Sequence, residues 1–496
     1  MIRIRRPGLA RLGSSLAGSR LEASASSLDE VTGAWPTRER AGLLTKGTGA
    51  EQWLNPVRYS TYLLLLLTAC LYFTQHYPPS VMRGGGVDAN YVVGELQGNA
   101  GRQIAFLVLG FVGVLGVYGG YKEKRGAVPW NARMIVPIAL LLGWCFLSLF
   151  WSDIWMIAAK RLFVVGLMFL GGFGLALSWT SVEVLKFIAL SSAINLSIGF
   201  FDEVMGGYFV PLSGVYRFTG TLTPNEEGYL CMVLVISSVC VARMLSRRRS
   251  SSLLYRCLAC YGLVFMLLTR SRGALTALAV ACFLYFFVVL EIRRKVLTTL
   301  LLGTAGLVLN ATGVLPVIAD ALNRGGEGAE SFTGRVPLWT ELMGYVQERP
   351  WLGYGYESFW TVATIDDIFK HQHWATNSAH SEYIESMLTI GMIGMVLHTG
   401  ALLMGVLEGT RLFRSTQDLA CYLAASLCGI YLVGGYLEAL LIVKPSIVSF
   451  YLVLLLCLLM VSGKAAQVPV PGRAAARPLP LGRKFAIGER RERLPF

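Results

Sequence analysis

Long apolar blocks with no charged residue dominate the chain. The segments 59–73 and 447–461 lack Asp, Glu, Lys and Arg altogether, and both are rich in Leu. Of the 496 residues, 54% are hydrophobic and only 15% are charged, against roughly 25% charged residues in soluble proteins. Side chains this apolar require a lipid bilayer as their solvent. A soluble enzyme, a DNA-binding module and a disordered chain are therefore excluded.

The spacing of these blocks predicts an all-α polytopic membrane protein with about twelve transmembrane helices. Nine spans are expected within 59–315 and three within 380–463, with solvated tails at 1–58 and 464–496. The spans are 59–77, 104–121, 134–151, 162–178, 182–201, 226–245, 253–269, 273–292, 297–315, 380–407, 418–438 and 446–463.

The basic residues set the orientation of these spans. A net charge of +14 could indicate nucleic acid, but Lys and Arg cluster in the tails and in alternate loops such as 122–125, 247–249 and 293–295. Basic loops remain on the cytoplasmic side of a membrane. We therefore expect no nucleic-acid partner, two cytoplasmic termini and a bilayer around the spans.

One outer loop, 316–379, is far longer than the others. Loops of this length are usually functional or disordered. Within it, apolar residues recur at helical spacing over 335–347 until Pro350 ends the pattern. The sequence predicts an amphipathic helix here, lying on the outer leaflet with its apolar face towards lipid.

Two outer turns carry arginine. The segment 217–226 begins with Arg217 and ends in a capping box formed by Thr223 and Glu226, with Asn225 inside it.

The second turn places Arg270 and Arg272 at the start of the next span. Guanidinium groups beside a helix N-terminus suit an anionic ligand, although arginines at helix ends also reach out to lipid headgroups.

A third outer segment contains His380, Tyr383 and Glu385. If Asn377 or Ser378 caps the following helix, His380 lies in its first turn, where the helix dipole disfavours a positive charge and leaves the imidazole suited to accept a proton. A structural hydrogen-bonding role is the alternative. Glu385 lies about 140° around the helix from His380, so spacing does not make it the partner of this histidine. As an ionisable group inside the membrane boundary it is still a candidate site residue.

The residues that could hold a metal or a cofactor are few. All ten cysteines fall inside predicted spans, and Cys257-x-x-Cys260 has no partner ligands nearby. His371-x-His373 lies in a loop, and Gly353-Tyr-Gly355 lacks the strand and third glycine of a dinucleotide fingerprint. No Asp-x-Asp occurs in the chain. The sequence predicts neither a metal nor another cofactor.

Together the outer motifs resemble a known family. His380-Ser381, nine residues, then Gly391-x-x-Gly394 is similar to the histidine signature of O-antigen ligases. Three other segments resemble further motifs of the O-antigen ligase and exopolysaccharide polymerase superfamily: Arg217-x-x-Gly220, Ser271-Arg272-Gly273 and the block from Gly334-Arg335 to Phe359-Trp360. The motifs follow one another along the chain in the same order as in that superfamily. The resemblance implies a C-type glycosyltransferase fold in the bacterial inner membrane, acting at the periplasmic face.

The resemblance also implies the chemistry. A sugar hydroxyl of the acceptor attacks the anomeric carbon of an undecaprenyl-diphosphate-linked glycan in a single inverting displacement. His380 carries over as the general base or acceptor-positioning residue, and Arg217, Arg272 and Arg335 as ligands of the diphosphate. Arginine suits bidentate binding of such a group, which would make a metal unnecessary. We expect these segments to meet at one outer cavity, with Glu385, Tyr383, Asn225 and Arg270 as possible supporting residues.

Three alternatives remain open at this point. A transporter or flippase for a lipid-linked glycan would also be polytopic, but it predicts broken helices with polar residues in matched halves. A structural subunit of a polysaccharide assembly or export complex would need no histidine motif. Within the preferred class, the acceptor could be lipid A core, for a ligase, or a second lipid-linked repeat, for a polymerase.

Overall fold

The computed structural model describes one compact unit that begins at Tyr62. The described residues are 62–69, 100–123, 128–311, 335–372 and 376–463, except for 212, 214, 215, 247, 248, 289, 291, 437, 441 and 442. Both predicted tails lie outside them. All regular structure within the described residues is helical, as predicted, and they contain no strand.

The helices follow one another with short connections. They are α1 (62–69), α2 (Ala100–Glu123), α3 (Ala132–Leu147, extended by a 3₁₀ turn at Ser148–Trp151), α4 (Trp155–Ser178), α5 (Ser181–Met205), α6 (Pro224–Met244), α7 (Arg249–Leu268), α8 (Arg272–Val288), α9 (Ile292–Ala311), α10 (Arg335–Glu348), α11 (Val362–Gln372), α12 (Glu382–Thr416), α13 (Leu419–Gly434) and α14 (Ile447–Met460).

Seven of these helices, α2 to α7 and α12, are long and apolar enough to cross a membrane. Three shorter apolar helices, α8, α13 and α14, add to them. The chain is therefore a multi-pass membrane protein, and the total of twelve spans stays a prediction. Within the described residues a helix overlaps each predicted span, although the bounds differ by several residues.

The centre of the bundle is formed by its two last helices. Every residue of α14 and nearly every residue of α13 is buried, although the two helices have only 14 and 16 residues. Protein rather than lipid therefore surrounds them. At the periphery α2 lies directly on α4, because a Cβ added at Gly113 would stand 2.5 Å from the Leu170 carbonyl oxygen. Only glycine permits so close an approach.

The start of α6 has the capping residues that the sequence predicted. Thr223 accepts a hydrogen bond from the Glu226 amide, and the Glu226 carboxylate accepts one from the Thr223 amide, with Pro224 as the first helical residue. This confirms the predicted capping box. It fixes the place where the segment containing Arg217 enters the bundle.

The span predicted over 380–407 corresponds to α12, which the sequence did not predict to be broken at Gly391. That residue has φ 70° and ψ −178°, a conformation that L side chains rarely adopt. The loop after α10 is wedged into the break: the Met392 amide donates to the Pro350 carbonyl at 2.9 Å, and the Tyr354 amide donates to the Leu388 carbonyl at 2.8 Å.

The predicted helix over 335–347 is present as α10, but its apolar face is not turned to lipid. Leu338, Leu342 and Val346 are buried in a second core together with residues from α11 and from the first segment of α12. The helix α11 was not predicted. It covers the apolar face that we expected to find on the membrane surface.

Candidate functional site

A carboxylate that the sequence analysis did not single out organises the candidate site. Glu438 lies in the connection between α13 and α14. Its Oε1 accepts hydrogen bonds from Arg335 Nη2 at 2.9 Å and from Asn225 Nδ2 at 2.7 Å. The Arg335 and Glu438 side chains are 15% and 16% exposed, so this ion pair is largely screened from solvent. Glu438 therefore joins α10 to the N-terminus of α6.

Arg217 joins the same cluster through Asn225. Arg217 Nη2 donates to Asn225 Oδ1 at 3.1 Å, and Arg217 Nε donates to the Thr269 carbonyl at 3.1 Å. The amide of Asn225 thus bridges the arginine on one side and Glu438 on the other. Two of the three arginines expected to bind diphosphate are held in one network.

His380 also belongs to this network. Its Nδ1 lies 3.8 Å from Glu438 Oε2, which is too long for a hydrogen bond but close enough for electrostatic attraction. The expectation that His380 occupies the first turn of a helix is wrong. Its φ of 49° is left-handed, its amide donates to Ser378 Oγ at 3.2 Å, and α12 begins only at Glu382 with Ser381 as its cap.

The electrostatics of Glu438 follow from these neighbours. Burial raises the pKa of this carboxyl, but the imidazole of His380 and the guanidinium of Arg335 outweigh burial and hold the pKa below its ordinary value. Glu438 is therefore an anion at neutral pH. It can orient the histidine and both donors that face it.

A second unpredicted carboxylate shapes the turn that carries Arg217. Glu203, fully buried near the end of α5, accepts hydrogen bonds from the Thr219 amide at 2.7 Å, the Thr219 hydroxyl at 2.8 Å and the Gly220 amide at 3.1 Å through one oxygen. Its other oxygen accepts from the Tyr216 hydroxyl at 2.6 Å. Glu203 thereby fixes the backbone on both sides of Arg217.

Arg272 and Arg270 are not brought into this network by the described contacts. Arg272 is the first residue of α8, and its side chain is exposed. Arg270 is half-buried and has a left-handed φ of 48°. The turn between them still borders the cluster, because the Thr269 carbonyl accepts from Arg217.

Glu385 supports the backbone and does not face the cluster. Its two oxygens accept from Trp360 Nε1 and from the Ala379 amide, each at 2.7 Å. It therefore ties the outer loop to the residue that precedes His380. Tyr383 donates its hydroxyl to the Leu432 carbonyl at 2.5 Å, which leaves the face of its ring available to a neighbouring groove.

That groove has a volume of about 490 Å³ and runs between α10 and the start of α12. It is lined by Val336, Trp339, Thr340, Met343, Ser381, Tyr383, Ile384 and Tyr436. The Trp339 indole donates to the Ala379 carbonyl at 2.8 Å and packs edge-on against Tyr436. Since Arg335 and His380 each adjoin a lining residue in sequence, one end of this aromatic groove borders the charged cluster.

The block Gly353–Trp360 fastens the outer loop to the bundle. Arg161 Nη1 donates to the Glu357 carbonyl at 2.6 Å, and the Ser152 and Ser358 hydroxyls bond at 2.6 Å. Gly353 and Gly355 have positive φ angles of 65° and 100° in this loop. These contacts explain the motif without a ligand.

The histidines that the sequence analysis weighed as metal ligands do not form a metal site in the described residues. His371 Nδ1 lies 3.0 Å from Glu341 Oε1 and so links α11 to α10, while His373 lies outside the described residues. Within the described part of the chain, no three His, Cys, Asp or Glu side chains form a metal-binding group.

Comparison with known families gives a match that includes part of this site. Residues 257–399 match the O-antigen ligase family. The match confirms the resemblance that the motifs predicted. No curated protein matches the chain. The O-antigen ligase region contains Arg272, Arg335, His380 and the break in α12, whereas Arg217, Asn225 and Glu438 lie beyond its ends.

Proposed function

We propose that this protein transfers a glycan from undecaprenyl diphosphate to a sugar hydroxyl of an acceptor, at the periplasmic face of the bacterial inner membrane. The observation that carries the proposal is the network in which Asn225, Arg335 and His380 face Glu438 and Arg217 joins through Asn225. The match to O-antigen ligases supports the reaction class. A candidate base such as His380 and candidate anion-binding groups such as Arg217 and Arg335 are each common in proteins. Glycan transfer needs both at one site, and this network combines them.

The proposed step is a single displacement. The acceptor hydroxyl oxygen forms a bond to the anomeric carbon while the bond from that carbon to the diphosphate oxygen breaks. The electron pair leaves on the diphosphate, and the hydroxyl proton passes to His380. Attack opposite the leaving group inverts the anomeric configuration. Glu438 holds the imidazole in place and stabilises the positive charge that it gains.

The two arginines of the network supply the second requirement. A leaving diphosphate gains negative charge, and guanidinium groups bind phosphate oxygens in a bidentate manner. Arg217 and Arg335 are held in one network through Asn225 and Glu438, so both are oriented before the substrate arrives. We propose that they bind the diphosphate without a metal. Arg272 would act only if the donor extends to the start of α8.

A transporter is the second candidate, and one observation favours it. The broken helix α12 is a feature that transporters use at their binding sites. Here, however, the break is occupied by the loop containing Pro350 and not by polar side chains. In the described residues we find no second broken helix in a matching position. Glycan transfer therefore accounts for more of the polar residues.

The decisive experiment is a transfer assay with purified protein in lipid nanodiscs and a lipid-linked glycan donor. Lipid A core and a second lipid-linked repeat should be offered separately, with and without a chelator. His380→Ala should lower turnover by roughly 100- to 10,000-fold. The matched control is His371→Ala, which changes an exposed histidine of the outer loop 316–379 and should retain activity. Near-normal turnover in His380→Ala would refute the proposed role, and glycan movement without transfer would favour the transporter.

A further inference from the structure

A buried pair of ionisable side chains inside the membrane region is not used by the proposed reaction. Glu382 Oε1 lies 2.9 Å from His398 Nδ1, and the two side chains are 2% and 1% exposed. Both belong to α12, whose composition is otherwise strongly apolar. Ionisable groups within membrane helices are costly, so such a pair needs a compensating role.

The pair can form only because α12 is broken. Glu382 and His398 are 16 residues apart, which in an unbroken helix separates them by about 24 Å. The left-handed Gly391 folds the first segment of α12 back towards the second, so the two side chains meet. The contact between Glu382 and His398 thus joins the two segments across the break.

Glu382 also contacts the loop that carries the proposed site. Its amide donates to the Gly435 carbonyl at 2.6 Å, and Gly435 is three residues before Glu438. A Cβ added at Gly435 would stand 2.4 Å from Glu382 Oε2, so only a glycine leaves room for this carboxylate. Two residues before Glu382 lies His380.

Glu382 therefore connects three parts of the molecule. Its side chain reaches the second segment of α12, its amide reaches the loop of Glu438, and its position in the chain follows His380. A change in the angle at Gly391 would move His380 relative to Glu438. His380 Nδ1 and Glu438 Oε2 are 3.8 Å apart in the structure.

We propose that Glu382 and His398 are a positioning pair, which sets the distance between His380 and Glu438 without touching substrate. The inference rests on the proposed function, because it assigns the pair to that same site. It makes His398 functionally important although no motif includes it. The proposal also predicts that the side chain at position 398 must donate a hydrogen bond to Glu382, and that it need not be an imidazole.

The test compares two substitutions at one position. His398→Asn places an amide donor about where Nδ1 stands and should retain most of the turnover. His398→Leu fills similar space without a donor, and its turnover should fall about 10- to 100-fold. The KM for the lipid-linked donor should stay within about twofold of wild type, because the arginines are untouched. Turnover is expressed per donor-binding site, so that unfolded protein does not contribute.

The matched control is Glu408→Gln on the same helix. Glu408 is 3% exposed and lies 2.7 Å from Arg411 Nη2, far along α12 from the proposed site. A purely structural role of the Glu382–His398 pair predicts that Glu382→Gln and Glu408→Gln both reduce the number of donor-binding sites and leave turnover per site unchanged. That result would overturn the proposal. Equal turnover per site in His398→Leu and His398→Asn would overturn it too.

The proposed function is tested separately by His380→Ala in the same assay. If His380→Ala abolishes transfer while His398→Leu does not affect it, the positioning role is wrong and the proposed function stands. If His380→Ala retains transfer, the proposed function fails whatever His398→Leu does. Should His398→Leu yield no donor-binding sites, the turnover per site of Glu382→Gln decides, with a drop expected and wild-type turnover contradicting the proposal.

Discussion

Replacing Glu438 by Gln tests the centre of the proposed site. Glutamine keeps the shape of the side chain and one carbonyl oxygen, but it loses the charge that faces Arg335 and His380. Glu438 Oε1 holds Arg335 at 2.9 Å and Asn225 at 2.7 Å, while Oε2 faces His380. A hydrogen bond to a charged group contributes about 1.5–3 kcal/mol, which corresponds to about 10- to 150-fold in rate. We expect turnover of the lipid-linked donor to fall by that factor.

The matched control for this variant is Glu357→Gln. Glu357 has the same exposed fraction as Glu438, 16%, and lies 3.7 Å from the guanidinium of Arg161. It is also on the outer loop but has no described contact with His380. Glu357→Gln should retain turnover per folded molecule. If Glu438→Gln stays within about twofold of that control, the carboxylate does not orient the histidine and the reasoning is refuted.

The pH dependence of stability gives an independent check on the same residue. The pKa of Glu438 is lowered in the folded protein from its ordinary value of 4.5, so its ionised form stabilises the fold. That stabilisation is fully present above pH 4.5 and is lost as the pH falls through the lower folded pKa. The difference in Tm between wild type and Glu438→Gln should therefore be constant near neutral pH and shrink in acid. A difference that grows on acidification would contradict the lowered pKa.

Three further outcomes are expected. Arg335→Lys keeps the charge but loses the planar fork, so the KM for the donor should rise about tenfold, and an unchanged KM would exclude a role in donor binding. Gly391→Ala adds a Cβ 2.1 Å from the Trp351 carbonyl oxygen at a φ of 70°, so the yield of monodisperse protein should collapse. Cysteines introduced at Asp366 and Ser250 in a cysteine-free background should react with an impermeant reagent from opposite sides of the membrane, and labelling from one side would refute the orientation.

The helices could be predicted because their signals are local. Apolar composition sets the spans, and the capping box at Thr223 fixes the start of α6 to the residue. The cluster of Arg217, Asn225, Arg335 and His380 required tertiary information, since α6, α10 and the start of α12 meet only in the folded bundle. The family resemblance supplied what spacing alone could not.

Glu438 was missed although a signal existed. It is a lone carboxylate at the end of a predicted span, and the argument that made Glu385 a candidate applies to it equally. Glu203 and Glu382, which lie near the ends of their predicted spans, carry the same signal, and His398 is an ionisable residue inside a span. If every ionisable residue near the end of an apolar span had been treated as a candidate, Glu438 and Glu203 would have been identified together with Glu385.

The break at Gly391 could not be predicted, because it depends on a distant loop. The break leaves amides of α12 without partners in the helix, and each unsatisfied buried amide costs about 1–3 kcal/mol. The carbonyls of Pro350 and Trp351 accept from the amides of Met392 and Ile393 and so remove that cost. Two motifs that resemble the O-antigen ligase family therefore meet here away from the charged cluster. We expect their common effect to be geometric, because together they break α12 at Gly391 and so set the course of the segment that follows His380.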